Sequence, residues 1–287
     1  MLSPIPAMSA HPQPKEEERA SHVPPTPPDP PPGPVLALLR WIGRNVRGFY
    51  GAVGVFLIVG VVLILIAGFG FAHLAEEVME GETQAFDHSV MVWMGSHGTP
   101  TLTILAQEVT ALGSGIVVWM VVLVSSAFLW TSKHRYSVAL LWVAMIGSGI
   151  ISSALKAFYD RPRPDVFPWR VPYAGEASFP SGHSMTAMVG YATLAYLIAR
   201  LETSKALRRL TFGVAAVVIA AIGLSRMYVG VHWPSDVLGG FAMGLAWSAF
   251  VALGIEAIRY FRTRHPAMEE VEQDLDAEEK REAKEGE

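Results

Sequence analysis

The chain has 287 residues, of which 51% are hydrophobic and only 17% charged, and its mean hydropathy is +0.34. This composition indicates a membrane protein. Because the sequence contains no cysteine, disulfides, thiol nucleophiles and cysteine-ligated metal sites are excluded. The last 22 residues carry a net charge of −7, which leaves +3 for the rest and no basic surface of the kind that binds nucleic acid.

The two ends of the chain differ in composition from its middle. Residues 1–34 contain 12 of the 20 prolines, and we expect a disordered, Pro-rich leader there. Residues 266–287 are mostly charged and predict a solvated acidic tail. The membrane domain is therefore expected at residues 35–265.

Six apolar stretches in this middle part are long enough to cross a bilayer, which takes about 20 helical residues. They cover residues 50–71, 112–131, 137–158, 184–201, 210–227 and 236–261. Each stretch is apolar on all sides, and their glycines and alanines allow close helix packing in lipid. The sequence thus predicts an all-α, polytopic bundle of six transmembrane helices. Residues 86–112 predict either an interfacial helix above the bundle or an ordinary loop helix.

The charges between the stretches predict the orientation. Twelve Lys and Arg residues lie near the ends of these stretches. They are found before the first stretch, between the second and third, after the fourth and after the sixth. Residues 73–111 contain no Lys or Arg. By the positive-inside rule both termini are cytoplasmic. Five basic residues then lie on the outer side, where the rule predicts few: Lys156, Arg161, Arg163, Arg170 and Arg226.

The first polar segment runs from Lys156 to Pro164 and ends the third stretch, where two prolines stop the helix. Lysine and arginine often end membrane spans, so this segment alone is ambiguous. The second segment, Pro180-Ser181-Gly182-His183, opens the fourth stretch. A turn of this type before a helix leaves backbone N–H groups and a positive dipole end that suit an anion, although a plain turn with a capping histidine has the same sequence.

The third segment runs from Ser225-Arg226 to His232 and Asp236, between the fifth and sixth stretches. If a helix starts at Pro234, the Asp236 carboxylate can reach back to the His232 ring, fix its tautomer and make the other nitrogen a better nucleophile. A local hydrogen bond is the simpler reading of this pair alone. All three segments fall at outer ends of the predicted spans, so one site can combine three cations, two histidines and a carboxylate, as phosphoryl transfer requires.

Together the segments resemble the signature of the type 2 phosphatidic acid phosphatases, membrane lipid phosphatases related to bacterial acid phosphatases and vanadium haloperoxidases. That signature is K-x6-RP, PSGH and SR-x5-H-x3-D, and Lys156, Arg163-Pro164, residues 180–183, Ser225-Arg226, His232 and Asp236 fill it at the expected spacing. The resemblance implies an acid phosphatase/haloperoxidase-like core within the six-helix bundle.

The resemblance also implies a role for each residue. His232 would be the nucleophile, oriented by Asp236, and His183 would be the general acid and base. Lys156, Arg163, Arg226, Ser181 and the Gly182 N–H would bind the phosphate. No metal or other cofactor is implied.

The expected protein is thus a metal-independent lipid phosphatase of a cell inner (plasma) membrane with an extracytoplasmic active site. Its substrate would be undecaprenyl diphosphate, phosphatidylglycerophosphate or phosphatidate, and no nucleic-acid partner is expected. Three alternatives remain: a phosphotransferase of the same fold, a non-catalytic lipid-phosphate transporter, and a metal site formed by His183, His232, Asp236 and Asp160.

Overall fold

The computed structural model of the protein describes residues 49–172 and 175–264, with side chains within 56–172 and 175–258. The predicted leader (residues 1–34) and tail (residues 266–287) lie outside these described residues. The helices from Val53 onward pack as one compact unit, and the unit before it, Met1–Ala52, is almost wholly outside the described part.

The described residues form eight α-helices and one isolated β-bridge. In chain order the helices are α1 (Phe49–Glu80), α2 (Gln84–Ser96), α3 (Pro100–Ala111), α4 (Gly115–Thr131), α5 (Arg135–Tyr159), α6 (Gly182–Leu201), α7 (Lys205–Tyr228) and α8 (Pro234–Arg264). The all-α prediction is confirmed for this part of the chain. Residues 86–112, predicted as one interfacial or loop helix, fall instead in α2 and α3, with a break at residues 97–99.

Four of these helices (α1, α5, α7 and α8) are long and apolar enough to cross a membrane. The number is five if α3 and α4, which meet at a bend of 46°, form one broken span. The chain is therefore a multi-pass membrane protein. The predicted span at residues 184–201 is present as α6 but is not among these helices. Because α6 packs against α4, α5, α7 and α8, it has small and polar residues where a lipid-facing helix has large apolar ones.

The main apolar core lies between α4, α5, α6 and α8. Val118 and Val122 of α4 pack there with Leu141 of α5 and Val189 of α6. Glycines allow the close contacts: a Cβ on Gly147 would lie only 2.1 Å from the Trp247 ring, and the Trp247 indole donates to the Ala144 carbonyl at 2.8 Å. These contacts of Trp247 fix α5 and α8 relative to each other.

Two smaller clusters lie at the end of the bundle where the three polar segments meet. In one, Phe71 and Ala75 of α1 pack with Phe179, the residue before the Pro-Ser-Gly-His turn. In the other, Met91 of α2 packs with Met227 and Trp233 at the α7–α8 junction. The helices that precede the motifs in sequence are thereby packed directly against them.

Candidate active site

The segment after α5 folds back over the start of α8. Helix α5 ends at Tyr159. The C-cap residue Asp160 has a left-handed backbone conformation (φ 39°), and the prolines that follow prevent continuation of the helix. The Arg163 guanidinium donates from Nε to the Gly175 carbonyl and from Nη1 to the Val231 carbonyl, both at 2.6 Å. The Trp233 indole donates to the Pro162 carbonyl at 3.1 Å. These bonds hold the first motif against the third.

The second motif contacts both the first and the third motif. Ser181 caps α6, because its hydroxyl accepts from the Ser184 N–H and hydroxyl, and its own N–H donates to the Asp236 carbonyl at 2.9 Å. A Cβ on Gly182 would meet the Cε of Lys156 at 3.7 Å, so the turn lies beside the lysine. Lys156 donates to the carbonyls of residues 177 and 178, which leaves one of its three ammonium hydrogens for a ligand.

Gly240 allows α8 to pack closely against the start of α6. A Cβ on Gly240, in the second turn of α8, would lie 2.7 Å from the Ser181 carbonyl oxygen and 3.2 Å from the Met185 nitrogen. Both are backbone atoms, which cannot move aside as the end of a side chain can. The absence of a side chain at Gly240 therefore allows α8 to lie directly against the start of α6.

The third motif contains the buried His232, whose contacts determine which ring nitrogen carries the proton. The Nδ1 atom of His232 lies 3.3 Å from Oδ2 of Asp236, and its Nε2 atom lies 3.2 Å from Nη1 of Arg163. A guanidinium can only donate, so Nε2 must be the acceptor and Nδ1 must carry the proton toward the carboxylate. The Trp233 N–H also donates to Oδ2 of Asp236, at 2.8 Å. The unprotonated nitrogen of His232 thus faces the Arg163 guanidinium.

The surroundings of His232 disfavour its charged form. The side chain is 2% exposed, and its burial together with the charges of Arg226, Arg163 and Lys156 lowers the pKa of the imidazole well below its ordinary value of 6.5. The imidazole is therefore neutral at neutral pH. A neutral imidazole whose Nε2 is unprotonated is the form that can attack phosphorus.

Arg226 reaches the same place from the last turn of α7. It is 5% exposed, and its Nη1 donates to the Thr110 hydroxyl at 3.0 Å. Its Nε hydrogen is buried without a hydrogen-bond partner among the described residues. An unpaired donor on a buried cation is costly, and an anion at this position would satisfy it. His183 is half-buried beside the α3–α4 turn, where a Cβ on Gly113 would lie 3.5 Å from its ring.

The structure thus brings all the predicted site residues to one end of α5–α8. It also adds residues that the sequence did not single out as functional. Thr110 contacts Arg226, and Asp87 of α2, which is fully buried, forms an ion pair at 2.8 Å with Arg161. Arg161 had one signal in the sequence, a basic residue on the side where few are expected, whereas Asp87 had none.

The metal-site alternative finds no matching arrangement in the described part of the chain. Within residues 49–172 and 175–264, no group of three or more His, Asp or Glu residues is placed to hold a metal ion. Asp160, the fourth suggested ligand, is exposed at the end of α5. His232 and Asp236 face each other directly in the geometry of a hydrogen bond.

Comparison with known proteins agrees with this geometry. The sequence profile of the PAP2 superfamily matches residues 137–260. Phosphatidylglycerophosphatase B of Bacillus subtilis is 28% identical over 195 residues, which cover 68% of this chain and 95% of that protein. An undecaprenyl-diphosphatase of Sulfolobus acidocaldarius is 36% identical over 86 residues, or 30% of this chain and 37% of that protein.

The fold has a counterpart among solved structures. The crystal structure of a transmembrane PAP2-type phosphatidylglycerolphosphate phosphatase from Bacillus subtilis superposes with a TM-score of 0.64 and 26% identity, covering 68% of this chain and 96% of that one. The chain belongs to the membrane branch of the PAP2 superfamily. It is accordingly a lipid phosphatase.

Proposed function

We propose that the protein hydrolyses the phosphate ester or diphosphate of a membrane lipid through a phosphohistidine at His232. The observation that carries this proposal is the orientation of the His232 ring, with Nδ1 toward the buried Asp236 carboxylate and Nε2 toward Arg163. An imidazole held in this way turns its unprotonated nitrogen toward Arg163, one of the cations that would bind the phosphoryl oxygens.

Three cations would hold that group. The unpaired Nε hydrogen of Arg226, the remaining ammonium hydrogen of Lys156 and the guanidinium of Arg163 supply positive charge around His232. The Gly182 N–H at the start of α6 and the Ser181 hydroxyl, which accepts in both of its contacts and so keeps its own hydrogen, add neutral donors. Such a cradle neutralises the equatorial oxygens of a transferring phosphoryl group without a metal ion.

The reaction would take place in two steps. In the first, Nε2 of His232 forms a bond to phosphorus while the bond from phosphorus to the lipid oxygen breaks, and His183 donates a proton to that oxygen. In the second, His183 takes a proton from water, whose oxygen attacks phosphorus, and the phosphorus–nitrogen bond breaks to release phosphate and restore His232. Asp236 stabilises the positive charge that the ring carries as a phosphohistidine.

The membrane arrangement that fits this chemistry is the six-span bundle with both termini in the cytoplasm. In that arrangement α6 is a sixth, largely buried span, and the site lies at the extracytoplasmic ends of α5–α8. The charge distribution of the connections supports it. In a bacterial cell the membrane would be the inner (plasma) membrane, and the substrate would be a lipid of its outer leaflet.

Phosphatidylglycerophosphate is the substrate we propose first. It is the lipid named for the Bacillus subtilis relative that this chain matches over 95% of its length, whereas the undecaprenyl-diphosphatase matches over 37% of its own. A phosphate on a lipid anchor suits a site at the end of a membrane bundle, since the acyl chains remain in the bilayer while the head group enters.

A substrate panel tests the proposal. The purified protein in detergent micelles is given phosphatidylglycerophosphate, phosphatidate and undecaprenyl diphosphate, and inorganic phosphate is measured with the His232→Ala variant as control. We expect release from at least one lipid, fastest from phosphatidylglycerophosphate, and none by the variant. Transfer of labelled phosphate to an added alcohol without hydrolysis would indicate a phosphotransferase, and binding without turnover would indicate a transporter.

A further inference from the structure

A second group of buried charges lies behind the His232–Asp236 pair and belongs to no position of the sequence signature. Asp87 of α2 is 0% exposed, and Arg161 of the loop after α5 is 9% exposed. Burial of charged side chains is costly unless each is paired and hydrogen-bonded. The hydrogen-bond partners of Asp87 and Arg161 therefore indicate the role of these two residues.

The hydrogen bonds of Arg161 and Asp87 form a closed network with Asp236. Nη1 of Arg161 donates to Oδ1 of Asp236 and to the Ser235 hydroxyl, both at 2.7 Å. Its Nη2 donates to Oδ2 of Asp87 at 2.8 Å. The N–H and hydroxyl of Ser235 donate to Oδ1 and Oδ2 of Asp87, respectively. The guanidinium also lies over the Trp233 ring, with 5.5 Å between Cζ and the ring centroid.

These bonds fix the orientation of the Asp236 carboxylate. Arg161 binds Oδ1, and this leaves Oδ2 for the Trp233 N–H and for Nδ1 of His232. Rotation of the carboxylate would break the bond to Arg161, whose planar guanidinium is itself held by Asp87. The direction in which Oδ2 points is thus determined in part by Arg161 and Asp87, in addition to the Trp233 N–H.

The network also determines how much negative charge reaches His232. If Arg161 paired with Asp236 alone, its positive charge would cancel the carboxylate. Because Asp87 shares the same guanidinium, the three groups carry a net charge of −1 when ionised. A net negative charge next to Nδ1 stabilises the positive ring of a phosphohistidine in a site that otherwise contains three cations.

We propose that Asp87 and Arg161 are positioning residues for the nucleophile, which hold Asp236 toward Nδ1 of His232 and preserve a net negative charge beside it. This inference rests on the proposed function and assigns a catalytic purpose to α2, which precedes the residues matched by the family profile. The competing explanation is that the same bonds only attach α2 to the bundle.

A double-mutant cycle distinguishes the two. Asp87→Asn and Asp236→Asn are made singly and together, and kcat and KM are measured with phosphatidylglycerophosphate, or with whichever panel lipid the protein hydrolyses. If Asp87 acts through Asp236, Asp87→Asn lowers kcat about tenfold in the wild-type background and less than about threefold in Asp236→Asn, with KM nearly unchanged. An equal loss in both backgrounds would overturn the proposal.

Two further variants serve as controls. Asp160→Asn removes a carboxylate next to Arg161 in sequence, but this side chain is exposed, and we expect kcat to stay within twofold of wild type. If Asp87→Asn does not fold, as judged by its melting transition in detergent, Ser235→Ala replaces it in the cycle. That variant removes one hydroxyl of the same network, and its loss of kcat must likewise depend on an intact Asp236.

A readout without turnover separates this inference from the proposed function. In 15N-histidine spectra, the His232 signals are assigned by His232→Asn. We expect Asp87→Asn to shift the Nδ1 resonance of His232 and Asp160→Asn to leave it in place. An unmoved resonance in Asp87→Asn refutes the positioning role. If instead the wild-type protein hydrolyses no lipid phosphate but the resonance moves, the proposed function fails and the network's control of His232 stands.

Discussion

Replacement of Gly240 by alanine should impair the site, although Gly240 itself is not among the residues proposed to bind phosphate. The new Cβ would lie 2.7 Å from the Ser181 carbonyl oxygen and 2.9 Å from the Ser184 Cβ, whereas ordinary contacts begin at 3.4 Å. The difference of 0.7 Å must be absorbed by movement of α8 away from α6. Overpacking of this kind costs about 1–3 kcal/mol of stability.

The expected loss of activity is larger than the loss of stability suggests. Ser181 and Asp236 face each other across this contact through the bond from the Ser181 N–H to the Asp236 carbonyl. Separation of α6 from α8 would therefore separate the turn proposed to bind phosphate from the proposed nucleophile, His232. Because a misplacement of about 1 Å can reduce turnover about 100-fold, we expect kcat of Gly240→Ala to fall by about 10- to 100-fold.

The assay compares Gly240→Ala with Gly254→Ala. Both glycines lie in α8, but a Cβ at Gly254 would meet nothing within 4 Å. We measure kcat on phosphatidylglycerophosphate and the melting temperature in detergent, and we expect Gly254→Ala to match wild type in both. If Gly240→Ala turned over lipid as fast as Gly254→Ala, the reasoning that the α6–α8 contact aligns the site would be wrong.

Four other outcomes are expected. His232→Ala should abolish phosphate release from a folded protein, and Asp236→Asn should reduce it severely but incompletely, because only orientation and charge support are lost; normal turnover by His232→Ala would exclude the covalent mechanism. Vanadate should inhibit and EDTA should not, since the proposed anion site consists of side-chain cations and N–H groups; activity lost in EDTA and restored by a metal would contradict this. In 15N-histidine spectra, His232 should titrate well below the ordinary midpoint of 6.5, since burial and the neighbouring cations lower its pKa; a midpoint at 6.5 would refute the burial argument. On intact cells an impermeant thiol reagent should label Ser96→Cys and spare Ser132→Cys, and the reverse pattern would place the site in the cytoplasm.

Much of the fold could be predicted from sequence because membrane helices carry their signal locally. The stretch predicted at residues 137–158 agrees with α5 to within two residues at each end. The stretch predicted at residues 210–227 agrees with α7 to within five residues at each end. The first predicted span was too short, since α1 continues to Glu80 through a segment with three glutamates. A hydropathy pattern marks only the apolar part of a helix, whereas the backbone hydrogen bonds of the helix can continue into a charged segment. The charged end of α1 was for this reason not recognised as helical.

The hydropathy signal was weakest for the helix nearest the centre of the bundle. Buried positions of α6 include Ser184, Gly190 and Thr193, which face other helices. A helix surrounded by protein does not need the apolar surface by which lipid-facing spans are recognised. The most central helix is for this reason the one that composition describes least well.

The candidate site was predictable to the extent that its residues are close in sequence to one another. His232 and Asp236 are four residues apart, and the orientation predicted for them matches the 3.3 Å contact between Nδ1 and Oδ2. Asp87 could not be found in this way, because its partners Arg161 and Ser235 are 74 and 148 residues further along the chain. No local pattern marks a carboxylate whose partners are so distant.

The same separation has a consequence for how the protein is made. Synthesis places Asp87 in its helix long before Ser235, and the complete set of bonds to Asp87 can form only after the start of α8 has been added. Arg161 can pair with Asp87 earlier, but the N–H and hydroxyl of Ser235 become available only at that stage. The full set of partners that offsets the burial of the Asp87 charge is therefore present only late in synthesis.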